Sequence, residues 1–180
     1  MSSSLNVKHH KRMQNDLQEV KKEHYQQAQQ PARAEINKIL VLCLGNICRS
    51  PMAEGFLKSR LPEKVIMSAG LTAMAGYPAD PFSVRLMQEH GIDISSHRSQ
   101  NLTDWMVEAA DLILTMDTEQ MNFIERAYPA FEGRIMRLGQ FGGFDIPDPY
   151  CQGIDAFRES QKLIVQGINE VLEHILHPRP

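Results

Sequence analysis

The sequence predicts an α/β fold, a doubly wound, four-stranded parallel sheet flanked by helices on both faces. Three observations predict it. Short apolar runs such as Ile39-Leu40-Val41-Leu42 and Leu112-Ile113-Leu114 lack polar alternation, the pattern of strands buried on both faces. These runs alternate with segments of helical apolar spacing, the rhythm of βαβ units. The chain has 180 residues with 42% hydrophobic content, which suits one domain with a sizeable core.

Taken in order, residues 1–35 are predicted to be a polar N-terminal extension. It is either disordered or a short amphipathic helix on Met13, Leu17 and Val20. Its basic cluster, Lys8-His9-His10-Lys11-Arg12, reads as a solvated tail. The domain proper spans residues 36–180. Lys38–Cys43 is the first strand. Pro51–Arg60 is a helix with proline in its first turn, where a missing N–H costs least. Lys64–Ser68 is the second strand. Asp80–His90 is a helix that Pro81 opens and Gly91 stops, and Leu102–Ala109 is another. Asp111–Met116 is the third strand, Thr118–Ala127 a helix and Ile135–Leu138 the fourth strand. A loop with Gly139, Gly142 and Gly143 leads to a last helix, Ile154–Leu176, with Phe157, Ile164, Ile168 and Val171 in its apolar stripe. Ligands of such sheets bind beyond the C-terminal ends of the strands. Cys43, Ser68 and Asp117 are predicted at or just after those ends.

Composition excludes several classes. A formal net charge of −3 gives no global basic field for nucleic acid. No apolar run reaches the ~18 residues of a membrane span, and the polar N-terminus has no secretory h-region. Three cysteines, Cys43, Cys48 and Cys151, are an odd number without the spacing of a secreted framework. They point to a reducing, cytoplasmic compartment.

The chemistry concentrates in Val41-Leu42-Cys43-Leu44-Gly45-Asn46-Ile47-Cys48-Arg49-Ser50-Pro51. A strand leads into a thiol, a short loop, a guanidinium and a helix-opening proline. Five residues between Cys43 and Arg49 are enough for backbone N–H groups to curl round an anion as a nest. Gly45 and Asn46 ease so tight a turn. The helix N-terminus favours an anion at the same place, and Arg49 supplies a planar fork for two phosphate oxygens. Such surroundings favour the thiolate form of a cysteine, a competent nucleophile. Ser50 is placed to donate a hydrogen bond to it. Alone, a cysteine at a strand end is a small core residue and an arginine after a loop is surface. Together they specify phosphate chemistry that needs neither metal nor cofactor.

Cys43-Leu-Gly-Asn-Ile-Cys-Arg-Ser-Pro51 resembles the phosphate loop of the low-molecular-weight protein tyrosine phosphatases. The similarity runs from about Asn37 to near the C-terminus. Its other landmarks are Met67-Ser68-Ala69-Gly70, Pro78-Ala79-Asp80-Pro81, His90-Gly91-Ile92, Ser96-His97-Arg98-Ser99, Met116-Asp117 and Asp148-Pro149-Tyr150. The stretch from Ser68 to Pro81 is closer to bacterial members, some of which act beside tyrosine kinases in exopolysaccharide export. The resemblance implies hydrolysis of phosphotyrosine through a phosphocysteine. Cys43 would attack. Arg49 and the loop from Leu44 to Ser50 (Gly45, Asn46, Ile47 and Cys48 between them) would bind phosphate. Two carboxyls, Asp145 and Asp148, could serve as general acid. Asp148, before Pro149, matches the family's acid motif, and Asp145 reads as a loop carboxylate. Asn46, Ser50, Ser68 and His97 resemble the polar network that holds the loop. Tyr150 would flank the substrate ring, with Met74 and Tyr77 as the opposite wall. The implied partners are phosphotyrosine proteins, a bacterial tyrosine kinase among the candidates. Asp117 is read as a helix N-cap with a structural role only.

Rival readings are weaker. Arsenate reduction needs a relay of cysteines, and none lies between Arg49 and Tyr150. A phosphocysteine carrier has little use for Arg49 together with Asp148, and a silent phosphotyrosine reader has none for Cys43. Cys48 is a loop-lining residue that could also pair with oxidised Cys43 and protect it. Peroxide treatment that takes Cys43 to sulfinic acid with no prior Cys43–Cys48 bond would sink that idea.

Overall fold

Strand β1 (Lys38–Cys43) lies inside the sheet, with a strand on each side. Ile39 and Val41 turn to one face and Leu40 and Leu42 to the other, all without exposed surface. Burial on both faces is why the segment has no polar alternation. It contributes roughly 1.5–3 kcal/mol for each such side chain. The structure is a computed structural model that describes residues 35–176. The predicted extension, Glu35 apart, lies outside the described residues.

The other strands are β2 (Val65–Gly70), β3 (Leu112–Thr115) and β4 (Ile135–Arg137). All pairings are parallel, in the order β2-β1-β3-β4, so the sheet is the predicted one. Parallel neighbours need long crossovers. Here these carry helices α1 (Arg49–Arg60), α2 (Pro81–Gln88), α3 (Asp104–Ala109) and α4 (Thr118–Ala127), and α5 (Ile154–Val171) follows the last strand. From α1 and α5, Met52, Phe56, Ile164 and Ile168 cover the Ile39–Val41 face. From α3 and α4, Met106, Val107 and Ile124 cover the other. A smaller cluster of Cys48, Leu86 and Phe157 ties the loop after β1 to α2 and α5.

Several boundaries differ from expectation, most by a residue or two at an end. β2 runs two residues further than predicted, and its last residue, Gly70, pairs with Cys43. Ser68 therefore lies inside the strand, opposite Val41, rather than at its end. Helix α1 begins at Arg49, not Pro51; the first turn of a helix has no internal partner for its N–H groups, so proline is tolerated in its third position. The predicted single last helix changes after Val171 into a π-helical turn, Leu172–Leu176. No helix among the described residues is long and apolar enough to cross a membrane.

Candidate active site

The chain leaves β1 at Cys43 and enters α1 at Arg49. Between them, four carbonyl oxygens are taken by groups outside the loop. Leu44 O accepts from the Thr72 N–H (3.0 Å) and Ile47 O from the Asp80 N–H (2.8 Å). Asn46 O accepts from His97 Nε2 (2.8 Å) and Cys48 O from the Ser83 hydroxyl (3.3 Å). A carbonyl partner requires that His97 Nε2 carry a proton. Among the described residues, nothing accepts from the N–H groups of Gly45, Ile47 or Cys48. Outward carbonyls and unpaired N–H groups are the arrangement of an anion nest.

Asn46 holds that curve, with φ at 55° in the left-handed region, which asparagine tolerates better than most residues. Its Oδ1 accepts from the Gln100 N–H (2.9 Å), which fixes the amide's orientation. Nδ2 then donates to Ser50 Oγ and Ser68 Oγ, both at 2.9 Å. Having accepted from Asn46, Ser50 still has its own proton, and its Oγ lies 2.9 Å from Cys43 Sγ. A thiolate has no proton to give, so toward the ionised sulfur it is the hydroxyl that donates. The Asn46 N–H donates to the same sulfur at 3.2 Å. The Ser68 hydroxyl donates a hydrogen bond to Glu54 Oε2 (2.5 Å), and His97 Nδ1 lies 4.0 Å from that oxygen. Asn46, Ser50, Ser68 and His97, expected as one network, are thus in contact. Two members escaped the sequence reading, Glu54 and Gln100. Glu54 follows Ser50 by four positions and so shares its helix face, a signal that was available. Gln100 contributes mainly a backbone N–H, which no side-chain pattern reveals.

Gly45 is not the tightest glycine. A Cβ there would meet only Ile47 Cγ1, at 3.7 Å, whereas one at Gly70 would lie 2.8 Å from Leu44 O. The loop's close approach to the sheet therefore depends on Gly70.

Arg49 is buried. Its Nη1 donates to Ile146 O (2.9 Å) and Asp117 Oδ2 (3.2 Å), and Nη2 donates to Asp148 Oδ2 (2.6 Å). Nε is buried without a partner. Nε–H and the second Nη2 proton are therefore left for a ligand, the donors of a bidentate fork. Asp117 corrects the expectation of a cap alone. Oδ1 caps α4 by accepting from the Gln120 N–H (2.8 Å), while Oδ2 holds Arg49. Asp148 Oδ1 accepts from the Tyr150 N–H (3.2 Å), and Ser160 of α5 anchors the loop through Pro147 O (2.8 Å). Asp145 is held apart from this group, by Arg137 (2.6 Å) and Thr118 (3.1 Å). Burial works against its charge, but those hydrogen bonds outweigh it and lower its pKa below the ordinary carboxyl value.

Cys43 opens into a cavity of about 170 Å³ that Asp148 also lines. Leu44, Gly45, Ile47 and Cys48 form its lower wall, and Met74, Tyr77 and Tyr150 are its half-exposed sides. The three residues expected around a substrate ring are thus brought to one opening, joined by Thr72, which the sequence reading missed. Arg49 and Ser50 are not part of this lining; Arg49 lines the adjoining cleft. Burial, then the charges of Asp80, Asp148 and Cys43, push the Cys48 thiol far above its usual range, against the opposing pull of Arg49.

Comparison with known proteins gives this geometry a family. The family described as "Low molecular weight phosphotyrosine protein phosphatase" matches residues 38–178. A relative from Ralstonia nicotianae, "Probable low molecular weight protein-tyrosine-phosphatase EpsP", is 50% identical over 134 residues, 74% of this chain and 92% of its own. Among solved structures, Vibrio vulnificus Wzb in complex with benzylphosphonate superposes with a TM-score of 0.71 at 40% identity, covering 75% of this chain and 96% of that one. The tyrosine phosphatase Wzb from Escherichia coli K30, in complex with sulphate, gives 0.74 at 34% identity, covering 78% and 99%. With a family match across nearly all of the described residues and relatives of this identity and coverage, the chain belongs to the low-molecular-weight protein tyrosine phosphatase family.

Proposed function

We propose that Cys43, Arg49 and Asp148 carry out the family's reaction in this chain, hydrolysis of phosphotyrosine through a phosphocysteine. The observation that supports this assignment is the meeting of three groups at one loop. They are a sulfur held by Ser50 and the Asn46 N–H, unpaired loop N–H groups, and a guanidinium bonded to a carboxylate from a distant segment. The equatorial oxygens of the phosphate are taken by the loop N–H groups and by the Arg49 fork. The Cys43 thiolate attacks phosphorus, the P–O bond to the ring breaks, and Asp148, entering this step in its protonated form, gives the departing phenolate its proton. Asp148 then takes a proton from water, which attacks phosphorus and frees the thiolate and inorganic phosphate. The Ser50 hydroxyl eases that second departure by donating to sulfur.

The half-exposed sides, Met74, Tyr77 and Tyr150, suit an aromatic ring reaching down to the loop, whereas phosphoserine is too short to place its phosphate there. Residues 36–180 form the phosphatase domain in this reading, with residues 1–35 as an appendage to it. The substrates are phosphotyrosine proteins of exopolysaccharide export in the cytoplasm, a bacterial tyrosine kinase among them.

Turnover of phosphotyrosine, phosphoserine and arsenate, side by side and with and without chelator, tests the proposal. Phosphotyrosine alone is expected to be consumed, at a rate the chelator leaves unchanged. Cys43→Ser is expected to abolish turnover and keep phosphate binding. Retained turnover in that variant, or arsenate reduction by the wild type, would overturn it.

A further inference from the structure

Beside the catalytic pocket lies a second, broader cleft of about 760 Å³. The two are continuous, because Leu44, Thr72 and Asp148 line both. Its walls include Leu71, Pro147 and Phe123 of α4. Phe123 and Leu44 leave about half their surface uncovered, at 51% and 49%. Together with Leu71 they give the cleft an apolar seat that opens directly beside the catalytic pocket. Most of its charges are already paired: Arg49 holds Asp117 and Asp148, and Arg137 holds Asp145, which leaves Glu119 and Arg126 as the other lining charges.

Apart from Arg49, its partner Asp117 and the acid Asp148, none of these walls is needed for an aryl phosphate, whose ring the smaller pocket takes. A protein substrate is longer. With its phosphotyrosine ring between Met74 and Tyr150, a substrate chain that crosses the shared wall of Leu44 and Thr72 enters this cleft. We infer that the cleft is a subsite for a large apolar residue adjoining the phosphotyrosine in the substrate chain, seated between Leu44, Leu71 and Phe123. The inference rests on the proposed phosphotyrosine hydrolysis and specifies its substrate class. An acidic residue at the same place would lose its hydration against three apolar side chains and is disfavoured. Phe123 acts here as a specificity residue, with no part in the chemistry.

The experiment measures kcat/KM for a set of phosphotyrosine peptides. Each position within two residues of the phosphotyrosine carries Leu, Ala or Glu in turn. p-Nitrophenyl phosphate, which reaches only the ring pocket, is run in parallel. At one flanking position Leu is expected to exceed Ala by about tenfold, as one hydrophobic pocket allows, with Glu below Ala. Phe123→Ala is expected to erase that preference and leave p-nitrophenyl phosphate turnover unchanged; Phe123→Leu, which keeps an apolar wall, is expected to retain it. Equal rates across the peptides with full p-nitrophenyl phosphate turnover would overturn the subsite alone. So would a Leu preference that survives Phe123→Ala. Failure of the wild type on p-nitrophenyl phosphate would overturn the hydrolysis reading beneath it.

Discussion

Every polar atom of Asn46 is bonded, its N–H to Cys43, its C=O to His97, and its amide to Gln100, Ser50 and Ser68. Two separable contributions are built into one residue, a left-handed backbone and a set of buried partners. Asn46→Gly keeps the backbone easy and removes the amide, whereas Asn46→Ala also adds left-handed strain of about 1–2 kcal/mol. Both orphan buried groups at a cost of about 1–3 kcal/mol each. Both variants are expected to lose turnover, with Ala less stable than Gly in urea unfolding; equal stability would show that the φ of 55° carries no strain. Cys48 provides a second test at this scale. Buried, with its thiol pushed up, it is expected to resist iodoacetamide at neutral pH while the exposed Cys151 reacts. Mass mapping that finds Cys48 alkylated first would contradict its packing. The loop residues were legible because they are contiguous. Glu54 was not read, although its helical spacing from Ser50 was open to view.

At the scale of elements, the N-terminus of α4 does two things with one carboxylate. Asp117→Asn keeps an oxygen for the Gln120 N–H but loses the charge that holds Arg49. Its expected effect is on kcat/KM with little change in stability. Asp117→Ala also loses the cap, which costs about 0.5–2 kcal/mol. If Asn and Ala unfold alike, the cap reading fails. The capping pattern accounted for Asp117 so fully in the sequence that nothing was left over to signal Arg49, 68 positions away. Asp145 links β4 to the loop ahead of the acid through Arg137. Its carboxyl titrates lower in the folded chain than the ~3.9 of an unfolded aspartate. Its stabilisation is therefore complete above that value and is lost as pH falls through the lower, folded one. The gap in urea midpoint between wild type and Asp145→Asn is expected to be full near pH 6 and to close below about pH 4. A gap that widens in acid would contradict this sign.

Across the whole molecule, the sheet brings together groups that the chain keeps far apart. Arg49 and Asp148 are separated by 99 positions and meet at 2.6 Å. The parallel order β2-β1-β3-β4 was readable because its strands are apolar without alternation, and helices at that spacing leave few other topologies. The contacts of Arg49 were not readable, since local pattern sets which elements form but not which charges they present to one another. The broad cleft beside the pocket was equally hidden, because its walls come from four separate segments. In this account the loop binds the phosphate and Asp148 decides its fate, so one chemical species should exist only in between. Rapid quenching of Asp148→Ala with a labelled aryl phosphate of good leaving group should capture it. The expected result is phosphate bound to sulfur at Cys43, mapped by mass spectrometry and absent from Cys48 and Cys151. Continued turnover with no label on Cys43, or label on another residue, would contradict the mechanism.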